Sequence, residues 1–231
     1  MNLHINKEEF DFLMTLRSRD YVFGSHLYGT NNENSDKDIL HVVSDDWDGY
    51  GDEGGFPSTL LQYKDVENNV DHIFATRTQF ITNLDEGEST IYPDIIIFSD
   101  EEFWNNGFEQ IFTYKILKCY LGFAKRDLKQ VKEGKHKLVH ASRCLHIVHH
   151  VLFTKTLPTK ELVQEWYEKD YSVEFLKDLE QQLRKKLTEM FEKDELKMYR
   201  TIHSKEENDD SIITNLFLKL INSRNIKNFT Y

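Results

Sequence analysis

A short stretch from Gly24 to Thr30 follows an apolar run and precedes two aspartates that are separated by one residue. The sequence there is YVFGSHLYGTNNENSDKDILHVV, and its aspartates are Asp36 and Asp38. On a strand, residues i and i+2 extend their side chains to the same face. Two neighbouring carboxylates repel each other unless a cation lies between them, and hard oxygen ligands suit Mg²⁺ or Mn²⁺. The spacing therefore predicts a divalent metal site.

The Gly-Ser pair that precedes these aspartates is suited to phosphate oxygens. Gly24 allows a ligand to approach closely, Ser25 offers a hydroxyl donor, and the N-terminus of a following helix favours negative charge. A phosphate site beside a carboxylate–metal site indicates phosphoryl or nucleotidyl transfer. A strand–turn–strand with surface acids is the alternative, but turn chemistry alone does not account for the joint spacing.

The same residues resemble the signature of the polymerase-β-like nucleotidyltransferases. VFGSHLYGTNNENSDKDIL has an apolar residue, Gly-Ser, about ten residues and then Asp-x-Asp. The fuller form GSxxYGT…SDxD, which includes Thr30 and Ser35, is similar to predicted nucleotidyltransferases of bacteria and phages. Lys37 departs from the pattern, since many members have an apolar or aromatic residue there, but on a strand it points away from the metal face. The resemblance covers roughly residues 20–153.

The resemblance implies a third carboxylate on a neighbouring strand. Asp71 in NNVDHIFA is the best match. In the family it would act with Asp36 on a second metal and help to activate the acceptor hydroxyl. Asp65 is less well flanked, and Asp94 in YPDIIIF lies nearer the end of the first domain. A surface strand carboxylate is the alternative role for Asp71.

A later helical segment supplies cations that could hold the triphosphate or the acceptor. His136, His140 and Arg143 share one face of this helix, with Lys137 near its edge. A solvated basic face is an equally good explanation of the pattern. The segment therefore adds candidate phosphate ligands to Gly24 and its neighbours without deciding their role.

Two further groups of side chains are expected to have structural roles. Three histidines have zinc-compatible i, i+3, i+4 spacing but no third ligand motif, so packing or capping is predicted for His146, His149 and His150. Three aromatic residues lie in the glycine-rich segment 44–57 and could stack on a nucleobase, although anchoring of that loop is favoured: Trp47, Tyr50 and Phe56.

Composition limits the class of protein. The 231 residues carry a net charge of −11, with 39% hydrophobic and 30% charged residues, which is typical of a soluble globular protein. No apolar run approaches the length that spans a bilayer, and the N-terminal residues lack the features of an export signal. Cys119 and Cys144 fall in helix-like segments and are expected to be reduced. We therefore expect a cytoplasmic protein with no membrane association.

Charge differs between the two halves of the chain. Residues 1–110 contain 6 Lys and Arg against 23 Asp and Glu, whereas residues 111–231 contain 23 against 17. The acidic half is a poor nucleic-acid surface but a reasonable place for divalent cations. The mildly basic half could face a phosphate, although solvated helix surfaces are the favoured explanation of this charge taken alone.

The periodicity of apolar residues predicts an α+β fold. We expect helices in the first half over residues 7–18, with Asn6 as the cap, and from a Thr78 cap to about residue 86. Strands are predicted over about 21–23, 38–43, 58–63 and 69–76, and DIIIF is ambiguous between strand and helix. From residue 109, three- and four-residue spacing predicts long helices, at about 109–133, 136–153, from 158, over 172–202 and over 212–221.

A domain boundary is predicted near residues 105–112. It divides a nucleotidyltransferase-type mixed β-sheet with flanking helices, residues 1–108, from a C-terminal helical domain, residues 109–231. The segment after residue 155 matches no motif of the family, and oligomeric state cannot be inferred from the sequence.

Motif and resemblance together predict a metal-dependent nucleotidyltransferase of the EC 2.7.7 type. It would move NMP from an NTP to an acceptor hydroxyl and release pyrophosphate, with Mg²⁺ or Mn²⁺ as cofactor. The acceptor stays open among an RNA 3′ end, a small cationic molecule and a protein hydroxyl. The alternative is a non-catalytic nucleotide-binding or interaction protein of the same fold, or an antitoxin-like regulator. Clustered carboxylates argue against it, since like charges are costly to keep together.

Overall fold

A mixed five-stranded sheet forms the first half of the protein. The structure, a computed structural model, describes residues 3–44, 59–99, 114–131, 134–154 and 156–192. In those ranges the strands are β1 (Leu3–His4), β2 (Ser18–Phe23), β3 (Lys37–Val43), β4 (Leu61–Asp65) and β5 (Val70–Thr76). Their order is β1-β4-β5-β3-β2; the pairs β1–β4 and β3–β5 are parallel, and the other two pairs are antiparallel.

Helices flank the sheet and then continue as a helical half. They are α1 (Lys7–Leu13), α2 (Gly24–Tyr28), α3 (Arg77–Glu86), α4 (Ile91–Phe98), α5 (Tyr114–Lys129), α6 (Lys135–Thr154), α7 (Lys160–Glu168) and α8 (Val173–Glu192). The predicted α+β class, a mixed sheet with flanking helices followed by helices, is confirmed. Residues predicted as helix over 193–202 and 212–221 lie outside the described residues.

Alternation along the strands gives the sheet two different faces. Leu40 of β3 and Ile73 of β5 belong to a large core that continues into the helices, whereas Val43 and Phe74 belong to a smaller core against Phe10 of α1. Because side chains alternate with a period of two, every second residue of β3 faces the large core. Functional side chains at the start of β3 and β5 therefore lie on the edge of the face that the helices cover.

One buried cluster joins the sheet to the helical half. It includes Leu40 of β3, Leu117 of α5, Leu145 of α6 and Leu183 of α8. The helical periodicity puts these leucines on the inward faces of their helices. The predicted boundary near 105–112 falls within residues 100–113, outside the described residues, so the division into two domains stays a prediction.

Several local predictions need correction. The first helix ends at Leu13 rather than near residue 18, because the chain turns after Met14 and enters β2 at Ser18. Thr76, not Thr78, caps α3: its Oγ1 accepts a hydrogen bond from the Gln79 amide, and Gln79 Oε1 accepts one from the Thr76 amide. The predicted Asn6 cap of α1 is confirmed by a bond from the Glu9 amide to Asn6 Oδ1.

Two apolar segments also differ from their predicted form. The segment DIIIF is helical and forms most of α4, and the strand expected over 58–63 begins at Leu61 and ends at Asp65. Cys119 and Cys144 are free. Among the described residues, every helix is too short or too polar to cross a membrane. The predicted loop 44–57 with Trp47, Tyr50 and Phe56 lies outside the described residues, apart from Ser44.

Candidate active site

Three carboxylates meet where β3 and β5 begin. Asp38 is the register partner of Asp71 across the parallel pair, and Asp36 precedes Asp38 by two residues. One oxygen from each of the three side chains lies within 4.8 Å of the others. The structure thus brings together the three aspartates that the sequence predicted as ligands. Asp65 is the last residue of β4, accepts hydrogen bonds from Asn68 in the following turn, and does not join this cluster.

The three clustered carboxylates repel one another. Burial raises the pKa of Asp38 to about 7, and the charges of Asp36 and Asp71 act in the same direction. Asp71 Oδ1 is buried and has no hydrogen-bond partner among the residues that the structure describes. The charge of Lys64 acts in the opposite direction but does not offset the burial of Asp38 and the repulsion among the three side chains.

Lys64 is a residue at this site that sequence reasoning missed. It lies on β4 in register with Asp71, and its Nζ is 3.8 Å from Asp36 Oδ2 and 3.7 Å from Asp71 Oδ2. Its side chain is 55% exposed, so it can move away from the cluster. Strand pairing places it there, and nothing in the local sequence YKDVENN distinguishes it from a surface lysine.

The donor set fits a divalent cation. All three side chains offer hard carboxylate oxygens, which Mg²⁺ and Mn²⁺ prefer. Asp71 Oδ1 has unused acceptor capacity, and the mutual repulsion at Asp38 is the kind that a bound cation relieves. The ligand candidates for a metal are therefore Asp36, Asp38 and Asp71.

Gly24 connects this cluster to the Gly-Ser turn. It follows β2 directly and has a φ of +65°, a conformation that glycine adopts without strain. A Cβ built on it would lie 2.2 Å from Asp38 Oδ2. The turn is therefore in contact with the carboxylate cluster, and Ser25 is the next residue, in the first turn of α2.

A cavity of about 400 Å³ extends from this turn to the helical half. Gly24 and Ser25 line one side of it, and Lys137, His140 and Arg143 of α6 line the other. The cavity thus brings together the Gly-Ser turn and three of the four basic side chains that the sequence singled out on a distant helix. His136 lies on the same helix, but its side chain is outside the described part of the structure.

Arg143 is positioned by a buried polar group that the sequence did not indicate. Its guanidinium lies over the ring of Tyr28 at 4.1 Å and is 3.6 Å from Asp94 Oδ2. Asp94 accepts hydrogen bonds from the hydroxyls of Tyr28 at 2.5 Å and Tyr120 at 2.6 Å. Burial raises the pKa of Asp94, while Arg143 and both tyrosines act in the opposite direction. Asp94 is thus an anchor for Arg143, away from the carboxylate cluster.

A second acid–base group lies on the opposite rim of this cavity. Asp127 of α5 contacts His140 Nδ1 through its carboxylate and accepts a bond from Arg126 Nε at 3.0 Å. Burial raises the pKa of Asp127, but the hydrogen bonds from His140 and Arg126 outweigh this and lower it to about 2. Burial lowers the pKa of His140, to which the charge of Arg143 also contributes. These contacts fix the side of α6 that carries the cations.

Thr30 and Ser35 have local structural contacts. The Thr30 amide donates to the Ser25 carbonyl at 3.0 Å, which closes the turn after α2. Ser35 Oγ accepts a bond from the Asn32 amide at 2.9 Å. Ser35 thus takes part in the turn that precedes Asp36. Thr30 also lines a small cavity with Arg143.

The three histidines with zinc-like spacing are separated by their contacts. The ring of His146 stacks on Trp166, with centroids 5.2 Å apart, and His149 packs against Phe153. His150 Nε2 lies 3.0 Å from Thr156 Oγ1. These contacts agree with the predicted packing and capping roles.

A comparison with protein families identifies the first half of the chain. Residues 7–103 match the model of the nucleotidyltransferase domain, a segment that contains the Gly-Ser turn and all three carboxylates. Searches of curated proteins and of solved structures found no match. The predicted resemblance to polymerase-β-like nucleotidyltransferases is therefore confirmed for this segment.

Proposed function

We propose that the nucleotidyltransferase domain formed by residues 7–103 transfers NMP from an NTP to an acceptor hydroxyl and releases pyrophosphate. The observation that carries this proposal is the contact between Gly24 and Asp38, which joins a turn suited to phosphate to a cluster of three carboxylates. A surface cluster of acids would have no reason to lie against such a turn, whereas phosphate transfer needs both groups at one place.

Each group at the site has a proposed role. Asp36, Asp38 and Asp71 would hold Mg²⁺ or Mn²⁺, which neutralises phosphate charge and makes the α-phosphorus more electrophilic. Ser25 donates a hydrogen bond to a terminal phosphate oxygen across the cavity. Lys137, His140 and Arg143, which line the same cavity, form the opposite wall against the triphosphate.

The proposed reaction conserves atoms and charge in one displacement. The acceptor oxygen forms a bond to the α-phosphorus, while the bond from that phosphorus to the bridging oxygen of the β-phosphate breaks. Pyrophosphate leaves with the bonding electron pair, and the acceptor proton passes to the Asp71 carboxylate. Positioning and charge neutralisation supply most of the rate gain, as in other phosphoryl transfers.

The acceptor remains one of three chemical classes. An RNA 3′ end would use the basic helices, a small cationic molecule would suit the acidic first half, and a protein hydroxyl would need only an open cleft. Incubation with an NTP that carries a radioactive α-phosphate, in a cell lysate, identifies the class by whether the label follows RNA, small molecules or protein.

The proposed activity is tested by pyrophosphate release from each of the four NTPs with Mg²⁺ or Mn²⁺. Asp36→Ala combined with Asp38→Ala should lower turnover by about a hundredfold or more, because these side chains act only at the reacting phosphates. Asp178→Ala, an exposed acid on α8, is the matched control and should leave turnover unchanged. Turnover that survives the double substitution contradicts the site, and NTP binding without turnover favours the non-catalytic alternative.

A further inference from the structure

A second cavity, of about 350 Å³, lies between α6 and the end of α7. Its walls include Leu138, Val139 and Ser142 of α6 and the rings of Trp166, Tyr167 and Tyr171. We call it the aromatic cavity. Its size is at the lower end of the range of small-molecule pockets, about 300–1,000 Å³. The cavity between the Gly24–Ser25 turn and Arg143 of α6, which we call the phosphate-side cavity, shares none of these residues, so the two have separate walls.

The aromatic cavity contains a polar group without a partner. Ser142 is only 5% exposed, and its Oγ has no hydrogen-bond partner within the described ranges. A buried hydroxyl without a hydrogen-bond partner is energetically costly and uncommon in folded proteins, unless a ligand supplies the partner. One turn further along α6, His146 Nε2 is buried and has no partner among those residues either, and its ring packs against Trp166 and Tyr171.

Charge at the rim of the aromatic cavity disfavours phosphate as its occupant. Glu168, Lys169 and Asp170 line it together and leave a net negative charge. The basic cavity beside Ser25 has the opposite character. An uncharged planar group with hydrogen-bonding edges matches aromatic walls and an unpartnered hydroxyl, whereas a phosphate does not.

The aromatic cavity adjoins the motif that carries the reaction. A small cavity of about 30 Å³ is lined by Val139 and Tyr167, which also line the aromatic cavity, and by Thr30 and Arg143. Helix α7 is docked on the motif itself, since Gln164 Nε2 donates to the Tyr28 carbonyl at 3.1 Å. The small cavity thus shares Val139 and Tyr167 with the aromatic cavity and Arg143 with the phosphate-side cavity, so a ring in the aromatic cavity would lie next to the Gly-Ser motif's neighbours.

We propose that the aromatic cavity binds a nucleobase, which stacks on its aromatic wall and bonds to Ser142. This inference rests on the proposed nucleotidyl transfer, since the base would belong either to the NTP or to the acceptor. Stacking on an aromatic side chain serves any base because each has a π-face, and Ser142 Oγ can donate or accept. Burial lowers the pKa of His146 to about 4, so its ring, which packs against Trp166 and Tyr171, adds no positive charge to the aromatic wall at neutral pH.

The test uses the four ribonucleosides, which lack phosphate and so report on base binding alone. Binding to the full chain is measured by isothermal titration calorimetry without metal or NTP. We expect at least one nucleoside to bind, and Tyr167→Ala to weaken its binding by about tenfold, the loss typical of one stacking partner. Phe153→Ala removes an exposed ring of α6 outside the cavity and should leave binding unchanged.

Ser142→Ala separates a binding role from a structural one. Because the hydroxyl has no partner within the described structure, its removal should leave the melting temperature unchanged or higher. Nucleoside binding should nevertheless weaken by about threefold to tenfold. A lower melting temperature with unchanged binding would overturn the assignment of Ser142 as a ligand.

The outcomes distinguish this inference from the proposed function. If no nucleoside binds while pyrophosphate release persists, the aromatic cavity is not a base site and the activity stands. If nucleoside binding is lost in Ser25→Ala but kept in Tyr167→Ala, the base lies in the phosphate-side cavity and the inference is overturned. If nucleosides bind but no NTP turns over, the base site stands without the activity.

Competition assigns the source of the base. A non-hydrolysable NTP analogue is added with Mg²⁺ to the nucleoside complex. If the analogue displaces the nucleoside, and displaces less of it in Tyr167→Ala, the cavity is assigned to the base of the NTP. Undiminished nucleoside binding under saturation with the analogue assigns it to a base of the acceptor, which would then be a nucleotide or RNA.

Discussion

The position of Gly24 has no room for a side chain larger than a hydrogen atom. Gly24→Ala would place a Cβ 2.2 Å from Asp38 Oδ2, in a conformation with φ of +65° that other residues rarely adopt. We expect a loss of about 1–2 kcal/mol in the free energy of unfolding from the backbone alone. We also expect a loss of about a hundredfold or more in pyrophosphate release, because Asp38 must move. Urea unfolding and the turnover assay measure the two effects.

Gly122→Ala is the matched control for this substitution. Gly122 lies in α5, and a Cβ there would meet no other atom within 4 Å. Alanine in a helix is favoured over glycine, so this variant should gain about 0.5–1 kcal/mol and keep full activity. Equal activity of the two variants would contradict a catalytic role for the turn.

Lys64 is the residue whose role depends most on the bound metal. Its ammonium lies within 4 Å of Asp36 and Asp71 and competes with a divalent cation for their oxygens. Lys64→Met should therefore bind Mn²⁺ about three to ten times more tightly, a range set by the modest strength of exposed ion pairs. Calorimetric titration with Mn²⁺ measures the change.

Lys37→Met removes the same charge from the same region. Lys37 is exposed on β3 next to Asp38 and, by strand alternation, extends to the other face of the sheet. Its Mn²⁺ affinity should stay within about twofold of the wild type, since only long-range charge changes. Weaker Mn²⁺ binding in Lys64→Met would mean that the lysine organises the carboxylates instead of competing for them.

Between α5 and α6, one buried carboxylate holds the cationic helix in place. Hydrogen bonds from His140 and Arg126 hold the pKa of Asp127 at about 2 against the effect of burial, below its ordinary value of 3.8. A carboxyl with a lowered folded-state pKa stabilises the fold above about pH 4, and that stabilisation is lost as the pH falls toward 2. Asp127→Asn should thus lower the free energy of unfolding by about 2 kcal/mol at pH 7.

The pH dependence identifies the origin of that loss. The difference between Asp127→Asn and the wild type should shrink as the pH is lowered from 4 toward 2, measured by urea unfolding at each pH. Asp178→Asn on the exposed face of α8 should change stability by less than about 0.5 kcal/mol at any pH. A constant difference across this range would attribute the loss to packing rather than to the charge.

Helices and strands could be predicted from the sequence where apolar residues recur at a regular spacing, and not elsewhere. The alternation in β3 and β5 and the helical spacing in α5 both appear in the structure. Helix α4 has buried residues on nearly every side, so IYPDIIIF carries no period that separates a helix from a buried strand. The predicted end of α1 was wrong for a related reason. Residues 14–18 are compatible with a helix in sequence, but Ser18 pairs with β3 and so belongs to β2.

The site as a whole could be predicted only in part, because half of it depends on tertiary contacts. Asp36 and Asp38 follow from strand alternation, and the cationic face of α6 from helical spacing. Lys64 reaches the cluster through its register with Asp71, and the Tyr28–Asp94–Tyr120 group joins three separate elements. Such contacts have no local pattern, so the buried anchor of Arg143 became visible only in the fold.

The part of the molecule that the structure describes is expected to unfold in one transition. One buried cluster contains Leu40 of the sheet and Leu117 and Leu183 of the helices, and the bond from Tyr120 to Asp94 crosses the same interface. Calorimetric and van't Hoff enthalpies of unfolding should therefore agree in differential scanning calorimetry. A fragment of residues 1–108 should show no cooperative transition, since the large-core face of the sheet would lose its helical cover. Two separate transitions in the full chain, or a cooperatively folded fragment, would instead establish the two halves as independent folding units.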